Sequence, residues 1–477
     1  MRRLGALLVL GSLTLGCSMA PRYQRPAAPI PKEWPSGGAY GPRPASTTAA
    51  LRYQDVLRDP QLRAIIAAGL RSSRDLRIAA ENVFSAHAQY RIARAGFFPR
   101  IDANAGATFG GGASSSGTAL GPASGGAGDV YSIYSANLAL TSFELDLFGR
   151  VRSLSNSARE AYFATRAGAQ ATRLSLVSQL ALQYLTLAAD RSQLLIAEET
   201  MRNATASAEL ARARLSGGIA QLLDVRQAET ILAQARASIA QRRSAVEQDL
   251  NALDSLAGAP VDRALLPRSL DDVAGLVVEL PPGLSSEVML RRPDVMQAEF
   301  LLRSANARIG AARAAFFPTI SLTGVLGFAS SSLGSLFSSG AFGWSVRPGA
   351  SLNLFNGGAN AANLDYTWSQ RRLYLAQYER TIQSAFREVA DALARRGTID
   401  EQLAAERQVV RAADDSYRLA EARYRGGVES FLATLEAQRT LFSARQSLVE
   451  TELVRVQTLV TLYRTLGADS FDGAAAP

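Results

Sequence analysis

Cysteine and histidine each occur once in these 477 residues, as Cys17 and His87, and lysine occurs once, as Lys32. So few ligands exclude a zinc site built from Cys and His. No Gly-Lys-Ser/Thr occurs, which removes a P-loop, and a Schiff-base lysine would have to lie in the proline-rich N-terminal stretch. Long apolar runs are missing too, because the run from Leu4 to Leu15 is too short to span a bilayer. The net charge of +9 is spread over helical stretches in which Arg and Glu interleave, without the clustered patch that nucleic-acid binding needs.

Arg2 and Arg3 ahead of that apolar run read as a signal peptide over residues 1–16. It closes on Leu13-Thr14-Leu15-Gly16-Cys17, which resembles a bacterial lipobox with Thr14 and Leu15 in the places of the usual Leu and small residue. Cys17 is therefore the expected lipidation site, and its covalent lipid the only cofactor expected. Ser18 goes with outer-membrane sorting in the lipoproteins this resembles. Residues 17–50, rich in Pro, Ala, Gly and Ser, are expected to form a strap between lipid and body.

The body says nearly the same thing twice. Arg94-Ala95-Gly96-Phe97-Phe98-Pro99 returns 219 positions later as Arg313-Ala314-Ala315-Phe316-Phe317-Pro318. Leu145-Asp146-Leu147-Phe148 returns as Leu352-Asn353-Leu354-Phe355, and Arg214-Leu215-Ser216-Gly217-Gly218 as Arg423-Tyr424-Arg425-Gly426-Gly427. Three ordered echoes define a tandem duplication. The repeats are placed at 51–258 and 286–466, with a linker at 259–285 and a tail at 467–477.

Within each repeat, helical stretches such as Asp59 to Gly96 give way to two runs of period two. Ile101, Ala103, Ala105, Ala107 and Phe109 alternate with Asp102, Asn104, Gly106, Thr108 and Gly110. The strands are expected at about 101–110, 131–147, 319–328 and 342–355. Runs of about ten residues with one apolar and one polar face suit transmembrane barrel strands. Four strands cannot close, and open edges are not tolerated in lipid, so the chain must oligomerise.

From Val151 to Leu215 and from Ala359 to Tyr424 there is no proline and a single glycine each, Gly168 and Gly397, which predicts helices roughly 95–100 Å long. Leu174, Val177, Ala181, Tyr184 and Ala188, and likewise Ile382, Phe386, Val389 and Leu393, step by coiled-coil spacing. Each helix is expected to turn at a tip, at about 215–224 and 424–436, a full helix length from the hairpins.

Taken with Pro21-Arg22-Tyr23-Gln24-Arg25-Pro26, Phe143-Glu144-Leu145-Asp146-Leu147-Phe148-Gly149-Arg150 and Arg291-Arg292-Pro293-Asp294, these motifs resemble the OprM-like outer-membrane factors of the TolC superfamily. The resemblance runs nearly end to end. It implies a trimer that combines one twelve-stranded transmembrane β-barrel with an α-helical tunnel across the periplasm, anchored by lipid in the outer membrane. It further implies no enzymatic activity. The implied partners are a periplasmic membrane-fusion adaptor and an inner-membrane resistance-nodulation-division transporter. The adaptor would dock on the tips, at Gly217, Gly218, Ile219, Ala220, Gly426, Gly427 and Val428. Leu432 and Glu436 take the positions of the periplasmic gate, with Glu where relatives carry Asp. A protein-secretion duct and a non-channel scaffold are the alternative readings, and a third is a cell-wall hydrolase using Glu144 and Asp146 as acid and base.

Overall fold

The structure is a computed structural model that describes residues 18–40, 52–111, 130–277 and 286–467. The signal peptide, Cys17, the tail and parts of the strap and linker lie outside the described residues. The helices are α1 (Tyr53–Val56), α2 (Pro60–Ser72), α3 (Arg74–Ala95), α4 (Arg150–Ser216), α5 (Leu222–Ala257), α6 (Asp271–Ala274), α7 (Pro293–Ala314), α8 (Ala359–Arg425) and α9 (Phe431–Thr465). The strands are β1 (Ile101–Gly111), β2 (Val130–Leu145), β3 (Thr319–Ser330) and β4 (Phe342–Ser351). The duplication is visible in lengths: α3 and α7 have 22 residues each, α4 and α8 have 67 each, and α5 and α9 have 36 and 35. The chain divides into two units. One comprises Met1–Ala27, Asn82–Arg166 and Gln297–Tyr378, the other Ala28–Glu81, Ala167–Met296 and Glu379–Pro477.

The first unit carries one antiparallel sheet in the order β1-β2-β3-β4. Its register puts Ile101, Leu140, Gly324 and Val346 in one row, and Ala103, Leu138, Leu326 and Trp344 in the next. That face is apolar and yet exposed, with Phe109 at 66% and Trp344 at 69% of full accessibility. Asn104, Asn137, Thr323, Arg347 and Ser345 belong to the other face. A β-bulge between Leu140 and Phe143 inserts one extra residue, and Ser142 takes a positive φ of 45°. Because of it Phe143 and Leu145 return to the apolar face opposite Leu322 and Ile320.

Two strands end earlier than the alternation predicts. β4 stops at Ser351, short of 355, because Ser351 pairs with Thr319, the first residue of β3, and no partner lies beyond. β2 stops at Leu145, short of 147, because Asp146 turns to cap α4: its Oδ1 accepts from the Val151 N–H at 2.9 Å and its Oδ2 from that of Arg152 at 2.8 Å. Glu144 pairs with Arg150. Both carboxylates of the hydrolase reading are thus in structural use. The helix expected from Asp59 onward breaks at Ser73, where the left-handed Gly258 packs so closely that a Cβ there would lie 2.5 Å from the Ser72 carbonyl oxygen.

The second unit is helical. Leu174, Val177, Ala181, Tyr184 and Ala188 are all buried along α4, as their spacing predicts. On α8 the seam runs instead through Ile382, Ala385, Val389 and Ala392, while Phe386 stacks on Trp34 of the strap at 4.8 Å. Short elements brace α4 from the side. Tyr184 donates to Asp59 at 2.8 Å, Arg191 to the Pro267 carbonyl at 2.5 Å, and the Leu270 N–H to Ser192 at 2.8 Å.

A carboxylate pair joins α4 to α5. Asp249 accepts from Gln183 Nε2 at 2.9 Å, and Asp190 holds Arg242 at 3.2 Å. Burial, with Asp190 close by, pushes Asp249 up to about 6. A carboxyl whose pKa rises on folding makes the fold less stable as pH climbs through the interval between its unfolded and folded values. Asp249→Asn keeps the Gln183 contact without the charge. It is expected to raise the melting temperature at about pH 7.5, with the gain shrinking toward zero near pH 4. Thermal unfolding of both proteins at the two pH values checks this.

Candidate channel surfaces

The two tips are built alike. In the first, the N–H groups of Gly217, Gly218 and Ile219 donate to the carbonyls of Ala213, Leu215 and Arg214, each at 3.0 Å. In the second, Gly426, Gly427 and Val428 donate to Ala422, Tyr424 and Arg423, again at 3.0 Å. Gly218 and Gly427 have φ of 73° and 75°, a left-handed conformation that closes the last helical turn and favours glycine. Ile219 and Val428 stand out from the turns at 69% and 71% exposure, and Ala220 is half-buried.

The tips are also joined to each other. Tyr424 and Phe431 insert beside Ala204, Ala208 and Ala211 of α4 and Val225, Ala228 and Leu232 of α5. The alanines, spaced by four and three, leave room for those rings. Arg214 crosses from the first tip to the second, donating to the Tyr424 carbonyl at 2.5 Å with its guanidinium 4.6 Å from the Tyr424 ring centre. Its Nε and the Tyr424 hydroxyl are buried without hydrogen-bond partners among the described residues. The repeat echo locates this pair, since Arg214 matches Arg423 and Tyr424 matches Leu215. Sequence reasoning did not single it out, because nothing in either tip alone shows that they touch.

Leu432 and Glu436 lie one turn apart near the start of α9, both exposed. The neighbouring Phe431 and Leu435 instead pack into the tip cluster, so the gate candidates occupy the outward side of the helix.

The strap meets α7 along one stripe, which sequence reasoning also missed. Arg313 donates to the Met19 carbonyl at 3.1 Å, and Asn306 to that of Pro21 at 2.7 Å. Tyr23 donates to Glu299 at 3.2 Å, and Arg25 pairs with the same carboxylate. A Cβ on Gly310 would lie 2.6 Å from the Ala20 nitrogen, so only glycine lets the strap cross there. Glu299, Arg303, Asn306, Gly310 and Arg313 step by four and three along one helix face. The matching positions of α3 hold Ala80, Phe84, His87, Arg91 and Arg94, so α3 lacks the stripe by which α7 binds residues 19–25. Burial alone would raise Glu299, but Arg25 and Arg303 hold it below the usual carboxylate range, and Tyr23 is pushed up to about 12 by burial and by Glu299.

Among the described residues no group of three or more acidic, His or Cys side chains could hold a metal ion, and no helix is long and apolar enough to cross a membrane. The model of the family described as outer membrane efflux protein matches residues 66–259 and 284–468. The chain belongs to the outer membrane efflux protein family.

Members of known role resemble it over nearly their whole length. The toluene efflux pump outer membrane protein TtgC of Pseudomonas putida is 42% identical over 469 residues, covering 98% of this chain and 96% of that protein. The antibiotic efflux pump outer membrane protein ArpC, also of Pseudomonas putida, has the same identity and coverage. Among solved structures, CusC, studied for its folding and transmembrane channel formation, superposes with a TM-score of 0.84 at 36% identity, over 95% of this chain and 100% of that one. This efflux protein is an OprM-like channel of the TolC superfamily, the outer-membrane component of an efflux pump. The family consists of channel proteins rather than enzymes.

Proposed function

We propose that three copies of this chain close their four-stranded sheets into one twelve-stranded barrel, forming a passive exit duct for antibiotics and apolar solvents. The observation that carries the reading is the sheet: one face apolar and exposed, the other polar, with β1 and β4 as edges that have no strand partner among the described residues, which lipid would not tolerate. The cargo class follows the relatives that serve toluene and antibiotic pumps. A thioether lipid on Cys17 holds the duct in the membrane.

An inner-membrane resistance-nodulation-division transporter supplies the energy, and a membrane-fusion adaptor docks on the two glycine tips. The conduit adds no chemistry. Leu432 and Glu436 from three copies form the resting constriction, and the adaptor opens it by binding the open tip arrangement more tightly than the closed one. The unpaired Arg214 Nε and Tyr424 hydroxyl support a switchable tip, because each buried unpaired group costs about 1–3 kcal/mol that a rearrangement could recover.

Deleting the gene tests the function. Minimal inhibitory concentrations of apolar antibiotics and survival in toluene are expected to fall several-fold and to return with the wild-type gene. Unchanged susceptibility, with a secreted protein lost from the medium, would replace this reading with the secretion duct.

A further inference from the structure

The strap runs antiparallel to α7. From Met19 to Arg25 it advances six residues, roughly 20 Å if extended, while its contacts descend α7 from Arg313 to Glu299, fourteen residues or roughly 21 Å. The two lengths agree, so the strap is drawn straight and delivers its first residues to the C-terminal end of α7. That end is where Pro318 and Thr319 open β3, and Ile320 is the first residue of the apolar sheet face.

An open cleft of about 460 Å³ lies there, lined by Ser18, Met19, Ala20, Arg313, Phe316 and Phe317. Phe316 and Phe317 are 46% and 43% exposed, and Phe317 stacks on Phe148 at 4.9 Å, which fixes its ring as a wall. Arg313 is held in place by the Met19 carbonyl and by Trp368, whose ring centre lies 5.5 Å from the guanidinium. Among the described residues its other N–H groups meet no acceptor. An apolar wall with one cation at its edge, three residues along the chain from Ile320 of the apolar sheet face, matches a glycerolipid: acyl carbons against the phenyl rings, ester carbonyls against Arg313. The sequence neighbour of Ser18 is Cys17.

We propose that this cleft seats the diacylglyceryl group carried on Cys17, so that the anchor is packed against the junction of α7 and β3 instead of trailing free in the bilayer. The proposal rests on lipidation of Cys17. It explains why the second copy of the repeat, and not the first, carries Gly310 and the strap stripe: the strap has to reach the Phe-Phe-Pro turn of that copy alone.

The test uses Phe317→Cys in the full-length protein, made once with Cys17 intact and once with Cys17→Ser behind a non-lipoprotein signal. Both trimers are placed in nanodiscs. Intact mass first establishes whether Cys17 carries its acyl groups, and the labelling rate of Cys at 317 is then measured with a membrane-impermeant maleimide. Labelling is expected to be about ten-fold slower in the lipidated protein, because a covered thiol is shielded from reagent. Phe98→Cys, in the matching turn without a strap, should label equally with and without the lipid. Should Phe317→Cys fail to assemble, Phe316→Cys serves in its place. Equal rates at 317 with and without the lipid overturn the seat, whether both are fast or both are slowed by bilayer phospholipid. A mass showing unmodified Cys17 overturns the lipidation reading itself, and the seat with it.

Discussion

Gly327→Val leaves no barrel: the variant is expected to yield no folded trimer from the outer-membrane fraction, and Gly327→Ala to yield markedly less than wild type. Gly327 faces Asn137 across the β2–β3 ladder, and a Cβ there would lie 2.4 Å from both the Ala136 carbonyl oxygen and the Asn137 Cα. These are backbone atoms, which cannot rotate away. Relief requires the strands to part, and each backbone group unpaired in lipid costs several kcal/mol. Gly324 is the internal control. Its nearest neighbour would be the Leu140 Cβ at 3.6 Å, an ordinary contact, so Gly324→Ala should assemble normally. Size-exclusion chromatography of the three variants decides the matter, and a normal Gly327→Val trimer would show that β2 and β3 do not pair this way.

Arg292→Met is expected to cost about 2–4 kcal/mol, below the 3–5 kcal/mol of a fully buried pair because its acidic partners are partly solvated. Arg292 itself is 6% exposed. Its guanidinium donates to Asp294 at 2.7 and 3.0 Å, to Glu388 at 3.2 Å and to the Thr465 carbonyl at 2.8 Å, and so ties α7, α8 and the last turn of α9 together. Removing it strands a buried carbonyl at Thr465, which is fully inaccessible. Arg292→Lys should recover little, since one ammonium cannot reproduce the bidentate Asp294 contact together with the Thr465 contact. Denaturant unfolding of the three proteins measures both effects. A Lys variant equal to wild type would reduce the site to a simple charge.

Much of this was legible in the chain because its signals are local and occur twice. Alternation announced four strands and their apolar faces, the absence of proline announced α4 and α8, and the Gly-Gly echoes announced two tips with the same turn. What stayed hidden depends on distant contacts. The bulge at Thr141 and Ser142 has no glycine to mark it, and the break at Ser73 exists because Gly258, far along the chain, packs against it. Phe386 keeps its heptad spacing but leaves the seam to meet Trp34. The strap stripe was in plain view at 299, 303, 306, 310 and 313, yet it becomes visible only when α7 is laid beside α3 and the differences, not the similarities, are read.

Conductance of the purified trimer in a planar bilayer tests most directly the proposed channel, closed at rest at Leu432 and Glu436. Wild type should give small, rarely open currents, and the Leu432→Ala, Glu436→Ala double variant markedly larger ones. Large identical currents would keep the channel and discard this gate; no current from either protein would contradict the channel itself.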